Sequence, residues 1–233
     1  MKEIKVKCLS CGSLEGGDFC GSCHTVLPIE HEDIDFFELF GLAPRPYLDQ
    51  EALKGAFFNL SQKLHPDHNM EVSGDTRLRV LTISAHLNRG YTTLSNTKER
   101  LRYLVGQQTN AEPQEAKQVP AEMMELFFEV HDLMQEVDAY LKNKKAPASR
   151  IEAALAMADD GKRKLLEQVA ALRSRATDTV NRVETEIKAL DGQWDAADDR
   201  EPLLARLNLL ADVLAYLGRL HTSLDEKELA LQI

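Results

Sequence analysis

The chain has 233 residues, 43% of them hydrophobic and 28% charged, which is enough apolar content for one large domain or two to three small ones. Its formal net charge of −10 and pI near 5.2 exclude a non-specific nucleic-acid binder, which needs clustered Lys and Arg to displace counterions from phosphates. No apolar stretch approaches the ~20 residues that span a bilayer, and Met1–Lys7 runs directly into a Cys motif rather than a secretory apolar region, so no membrane partner is expected. The same N-terminus lacks the Arg- and Ser-rich, acid-poor character of a transit peptide, and a bacterial cytoplasm is expected in preference to a mitochondrial matrix.

All the cysteines fall in one early cluster, Cys8-Leu9-Ser10-Cys11 and Cys20-Gly21-Ser22-Cys23. Paired CxxC knuckles, with Gly12 and Gly21 allowing tight turns whose amides point at thiolate sulfurs, suit a tetrahedral metal site. The segment between the pairs is shorter than the roughly 15–20 residues of the usual double-CxxC zinc pattern, but a compact ribbon can close over it. Two disulfides or four free thiols are the alternatives, and a reducing compartment favours metal over them. One structural Zn held by Cys8, Cys11, Cys20 and Cys23 is expected, with iron in a rubredoxin-like site as the other metal option. Four protein thiolates leave no open position, so catalysis at this metal is excluded. His24 reads as a surplus, solvent-facing residue.

After the Cys segment, apolar residues recur at threes and fours and strand signals fade, so the bulk is expected to be all-α. A helix should start after Asp49 as N-cap, carry Leu53, Phe57, Leu60 and Leu64 on one face, and end before Pro66. A second helix carries Val80, Ile83, Leu87, Tyr91 and Leu94. Two such helices around a short loop form an antiparallel hairpin, each burying its stripe against the other. The polar stretch 107–119, closed by Pro120, reads as a linker. A domain at 120–233 follows, with three amphipathic helices forming a bundle. Their stripes are Leu126, Val130, Leu133, Val137 and Tyr140; then Leu165, Val169, Leu172, Ala176, Val180, Val183, Ile187 and Leu190; then Leu203, Leu207, Leu210, Leu214, Leu217, Leu220 and Leu224. Polar connections are expected near Lys142–Ala148 and Asp191–Glu201.

The hairpin loop begins His65-Pro66-Asp67. Adjacent loop residues do not set an imidazole against a carboxylate as a catalytic triad does, and no partnered nucleophile is evident, so no enzyme is expected. Taken alone the tripeptide is an ordinary turn. Its context is more specific: Asp35-Phe36-Phe37-Glu38-Leu39-Phe40-Gly41-Leu42 upstream, Leu87-Asn88-Arg89-Gly90-Tyr91-Thr92-Thr93-Leu94 in the second helix, and Lys98-Glu99-Arg100-Leu101-Arg102-Tyr103-Leu104 beyond it. This ordered set resembles the J-domain of HscB-type co-chaperones, some of which also carry an N-terminal double-CxxC segment. The resemblance is densest from Cys8 to Val105 and thinner in the C-terminal bundle.

The resemblance implies a four-cysteine zinc ribbon at 1–30, a J-domain at 34–106 and a scaffold-binding bundle at 120–233. It implies a co-chaperone that stimulates the ATPase of an HscA/DnaK-type chaperone and brings it the iron–sulfur scaffold IscU. By matching position, chaperone activation falls on His65, Pro66 and Asp67, with Lys54 and Lys63 supplying the positive face of the preceding helix. The family's Lys-Tyr-HPD-Lys reads here Lys63-Leu64-HPD-His68, so the electrostatic part of docking is expected to be weak or tuned to one partner. A general J-protein for unfolded clients and a zinc-dependent binding module are the rival readings; the zinc segment also admits a homodimer.

Helical geometry points Met124 and Phe128 away from the bundle stripe and places Met123 and Phe127 at its edge. These four residues are expected to form one apolar patch. The family resemblance implies that Met123, Met124 and Phe127, with Leu209 from the last helix, bind the scaffold; cover by a neighbouring helix is the competing explanation.

Overall fold

The computed structural model describes residues 6–7, 13–15, 22, 35–63, 74–109, 119–143 and 159–233. Among them the only strands are β1 (Val6–Lys7) and β2 (Leu14–Glu15), antiparallel with Val6 opposite Glu15 and Lys7 opposite Leu14. Everything else regular is helical, as the periodicity predicts. The chain divides into two compact units, Met1–Leu104 and Val105–Ile233.

The first unit contains α1 (Phe36–Leu39), α2 (Gln50–Lys63), α3 (Gly74–Ser95) and most of α4 (Thr97–Thr109). Asp35 caps α1, its carboxylate accepting from the Phe37 amide at 2.8 Å, and Gly41 closes the turn at a φ of 65°. Only glycine adopts that value without strain, and it lets the Gly41 and Leu42 amides reach the Glu38 and Phe37 carbonyls. Asp49 caps α2 as its sequence suggests, accepting from the Glu51 amide at 2.9 Å. Leu53, Val80, Ile83, Leu87 and Leu94 are buried, and Phe57 stacks on Tyr91 with ring centroids 4.3 Å apart, so the α2 and α3 stripes do meet. Leu64 lies outside the described residues.

α1 packs so closely on α3 that a Cβ on Gly90 would stand 3.0 Å from both Phe36 Cδ1 and Phe40 Cε2. Phe36 has little freedom to yield: its amide donates to the Tyr103 hydroxyl at 2.9 Å, and its ring stacks on Tyr103 at 4.8 Å. Burial, with the Asp35 carboxylate adding to it, holds that phenol above its usual pKa. At the C-terminal end of α3, one turn beyond Gly90, buried Arg100 donates to the carbonyls of Leu94 at 2.7 Å and Pro46 at 3.0 Å. One guanidinium thereby satisfies a helix-end carbonyl and a loop carbonyl.

α4 continues to Thr109, so residues 107–109 of the expected linker are helical. Gln107, Gln108 and Thr109 are polar but contain no helix breaker, and polarity alone does not end a helix.

The second unit is a three-helix bundle: a 3₁₀ turn (Ala121–Met123), α5 (Met124–Asn143), α6 (Asp160–Asp191) and α7 (Glu201–Gln232). Leu126, Val130, Leu133 and Val137 of α5 are buried, as are Leu165, Val169, Leu172, Ala176, Val183 and Ile187 of α6. Thr179, not Val180, completes the α6 stripe, because a straight helix drifts from a strict heptad over so many turns. Its hydroxyl donates to the Arg175 carbonyl at 2.9 Å, which makes the buried polar atom tolerable.

α7 buries Leu207, Leu210, Leu217, Leu220 and Leu224 as expected, but Leu203 and Leu214 are half-buried while Val213, Ala215 and Tyr216 join the core. A helix packed against both α5 and α6 needs a wider apolar arc than one stripe supplies. The connection expected to be polar also contains a core residue: Trp194 is buried beneath the Arg200 guanidinium, 4.7 Å from its ring centroid.

Candidate functional site

Two surfaces are candidates for partner binding, one in each unit. In the first, the α2–α3 hairpin brackets residues 64–73, which lie outside the described residues together with His65, Pro66 and Asp67. The framework around them is described: α2 runs to Lys63, of which only the backbone is described, and α3 begins at Gly74. Lys54 is exposed on α2, and Phe58, one turn later on the same side, is 61% exposed. Among the described side chains, the outer face of α2 sets the Lys54 cation beside a bare aromatic ring. Arg89 does not extend it, because its guanidinium sits over the Phe36 ring, 5.9 Å from the centroid.

The second surface lies at the start of α5. Met124 is 38% exposed, Phe128 56% and Leu209 37%, whereas the stripe of α5 itself, Leu126, Val130, Leu133 and Val137, is buried. Phe127 is half-buried, its ring edge-on to Phe128 at 5.5 Å and stacked on His131 at 6.0 Å. Met123 departs from the expected patch: it is only 9% exposed, because it occupies the 3₁₀ turn rather than the first helical position and turns inward. With Leu126, Val183, Leu210 and Val213 it lines a groove of about 590 Å³. Met123 therefore underlies the patch, and Met124, Phe128 and Leu209 form what a partner would meet.

The groove rim is charged. Arg206 of α7 donates through Nε and Nη2 to the two oxygens of Glu186 on α6, at 2.6 and 2.9 Å, and through Nη1 to Glu122 in the 3₁₀ turn. These bonds hold the Glu186 carboxyl below and the Arg206 guanidinium above their usual ranges. Arg175 makes a single ion pair, through Nη1, with Glu129 of α5, and that bond raises the Arg175 guanidinium above its usual range. None of these pairs was evident in the sequence; Arg206 and Glu122 are 84 positions apart, and only the fold brings them together.

Cys8, Cys11, Cys20 and Cys23 lie outside the described residues, and no group of His, Cys, Asp and Glu among the described residues is arranged to hold a metal. The β1–β2 hairpin brackets Cys8 and Cys11.

No protein-family model matches the chain. The co-chaperone protein HscB homolog of Vibrio vulnificus (strain CMCP6) is 31% identical to it over 170 residues, a match covering 72% of this chain and 86% of that protein. This chain belongs to the HscB co-chaperone family. The iron-sulfur cluster co-chaperone protein HscB homolog of Arabidopsis thaliana is 28% identical over 137 residues, 58% of this chain, and the match spans about half (54%) of that protein's length. Human co-chaperone protein HscB shares the fold, with a TM-score of 0.57 at 17% identity over 95% of this chain and 98% of that one. Chaperone HscB from Vibrio cholerae does so with a TM-score of 0.51 at 20% identity, covering 82% and 96%. Among the described residues of this HscB-family chain, no helix is long and apolar enough to cross a membrane.

Proposed function

We propose that the chain is an adaptor whose bundle holds an IscU-type iron–sulfur scaffold while its J-domain engages an HscA/DnaK-type chaperone and stimulates that partner's ATPase. The observation that carries the reading is the exposure of Met124 and Phe128 side by side at the start of α5, a helix whose stripe of Leu126, Val130, Leu133 and Val137 is buried. Met adapts to irregular surfaces and Phe supplies contact area, so the pair suits a folded client. An unfolded client of a general J-protein would favour a longer apolar groove, whereas the groove here has a charged rim.

This chain performs no covalent step. Holding the scaffold beside the chaperone raises its effective concentration there, and His65, Pro66 and Asp67, with Lys54 and Lys63, promote the hydrolysis that closes the chaperone on it. Cys8, Cys11, Cys20 and Cys23 would hold one structural Zn, which orders the N-terminal segment when bound. A bacterial cytoplasm is the compartment this reading favours.

Titration calorimetry with an IscU-type scaffold tests the assignment. Phe128→Asp and Met124→Asp should each weaken binding at least tenfold with little change in fold stability, since both side chains are exposed. Binding unaffected by either substitution would move the scaffold site elsewhere.

A further inference from the structure

We infer that Arg206 is the positioning residue of the docking patch: it sets where the turn bearing Met123 and Met124 sits against the helix bearing Leu209, without itself contacting the client. The inference rests on the scaffold-docking reading above and adds to it the element that fixes the patch's geometry.

The 3₁₀ turn that opens the bundle is weakly secured by its own sequence. Its N-cap is Pro120, which offers no side-chain cap, and its own backbone closes it with two bonds, from the Met123 amide to the Pro120 carbonyl at 2.8 Å and from the Met124 amide to the Ala121 carbonyl. Two further features hold it in register: the inward Met123 side chain and the ion pair from Glu122 to Arg206. Arg206 is in turn fixed by both Glu186 oxygens, so its third donor points at Glu122 from a preset angle.

A planar fork joined to α6 by two bonds and to the turn by a third ties three elements together at one point. Side-chain exposures of 32% for Arg206 and 37% for Glu186 separate this clamp from the solvated Arg163–Asp160 pair, where the values are 72% and 84%.

Arg206 and Leu209 are three apart on α7 and therefore share a side of that helix. Glu122 and Met124 flank Met123 across the turn. The clamp thus joins the two chain segments that supply the patch, at the wall of the groove that Met123 lines. Releasing it leaves every client-contacting side chain in place but frees the distance between them.

The test is scaffold affinity by titration calorimetry for wild type, Arg206→Gln, Arg206→Lys and Met124→Ala, and for Met124→Ala combined with Arg206→Gln. Arg206→Gln should weaken binding about tenfold, and Arg206→Lys, which can hold one carboxylate, by less. The loss caused by Met124→Ala should shrink in the Arg206→Gln background, because a patch already out of register gains less from Met124. Hydrogen exchange should quicken at residues 121–126 in Arg206→Gln and stay unchanged around Leu133 and Val137, which a general loss of stability would not produce. Wild-type binding with an Arg206→Gln affinity equal to it, or independent losses in the double variant, overturns this inference alone. No binding by the wild type overturns the docking reading and the inference with it.

Discussion

The two units are held by different kinds of contact. In the first, the helices are locked by a few shape-specific contacts: Gly90 under Phe36 and Phe40, Tyr103 against Phe36, and Arg100 bonded to two carbonyls. In the second, long helices share many interchangeable Leu, Val and Ala contacts, and ion pairs sit on the rim. Burying a Leu contributes roughly 1.5–3 kcal/mol at each of many bundle positions, so losing part of one is spread over the whole. Among the described residues the first unit buries fewer apolar side chains, Leu53, Leu87, Leu94, Leu101 and Leu104 among them, so each specific contact carries a larger share. A scaffold that must keep a loop in one geometry is better served by the first arrangement, and a surface that must accommodate a client by the second.

Breaking the comparison should therefore be easiest at Arg100. Arg100→Met would strand the Leu94 and Pro46 carbonyls in a buried site and cost about 3–5 kcal/mol, the loss of two charge-assisted bonds. Native-state hydrogen exchange should show this in α3 and α4 and leave α6 and α7 protected as before. Equal loosening of both units would mean that their stabilities are not separable.

Glycine gives a comparison of opposite sign. Gly90→Ala inserts a methyl at 3.0 Å from the rings of Phe40 and of Phe36, which Tyr103 holds in place, and overpacking of about 1–3 kcal/mol should exceed the roughly 1 kcal/mol of helix propensity gained. Gly218, inside α7, has nothing within 4 Å of the position a Cβ would take, so Gly218→Ala should stabilise the bundle by about 0.5–1 kcal/mol. Urea denaturation of both variants reads the signs; a stabilising Gly90→Ala would show that α1 can move on α3.

The smallest effect is a pH dependence confined to the bundle. The Tyr140 hydroxyl donates to Asp159 at 2.6 Å, and that bond, then burial, pushes the phenol up to about 12 from an ordinary 10.0. A group whose folded pKa is raised holds its proton more tightly when folded, so its stabilisation is complete below the unfolded value and is lost as pH climbs through the folded one. The stability advantage of wild type over Tyr140→Phe should be constant below 10.0 and fade towards about 12. An advantage that persists unchanged into strong alkali would detach Tyr140 from Asp159.

Much of this architecture was legible in the sequence because it is periodic. The stripes of α5 and α6, the Asp49 cap and the hairpin follow from threes and fours and from one capping side chain. What escaped depends on the third dimension. Trp194 fell in a polar stretch and was buried by Arg200, and Met123 was turned inward by a 3₁₀ start that helical geometry does not anticipate. Nothing in the sequence marks Arg206; only the fold brings the carboxylates of Glu186 and Glu122 to it. The exposure of Met124 and Phe128 was legible from the helical angle, whereas the ion pairs of Arg206 beside them were not.

The central claim is that this HscB-family chain activates a chaperone through its J-domain, and steady-state ATP hydrolysis by an HscA-type partner with purified IscU-type scaffold tests it most directly. The wild-type chain should raise the rate and His65→Gln should abolish that stimulation while scaffold binding persists. Equal stimulation by both proteins, or by neither, would contradict it.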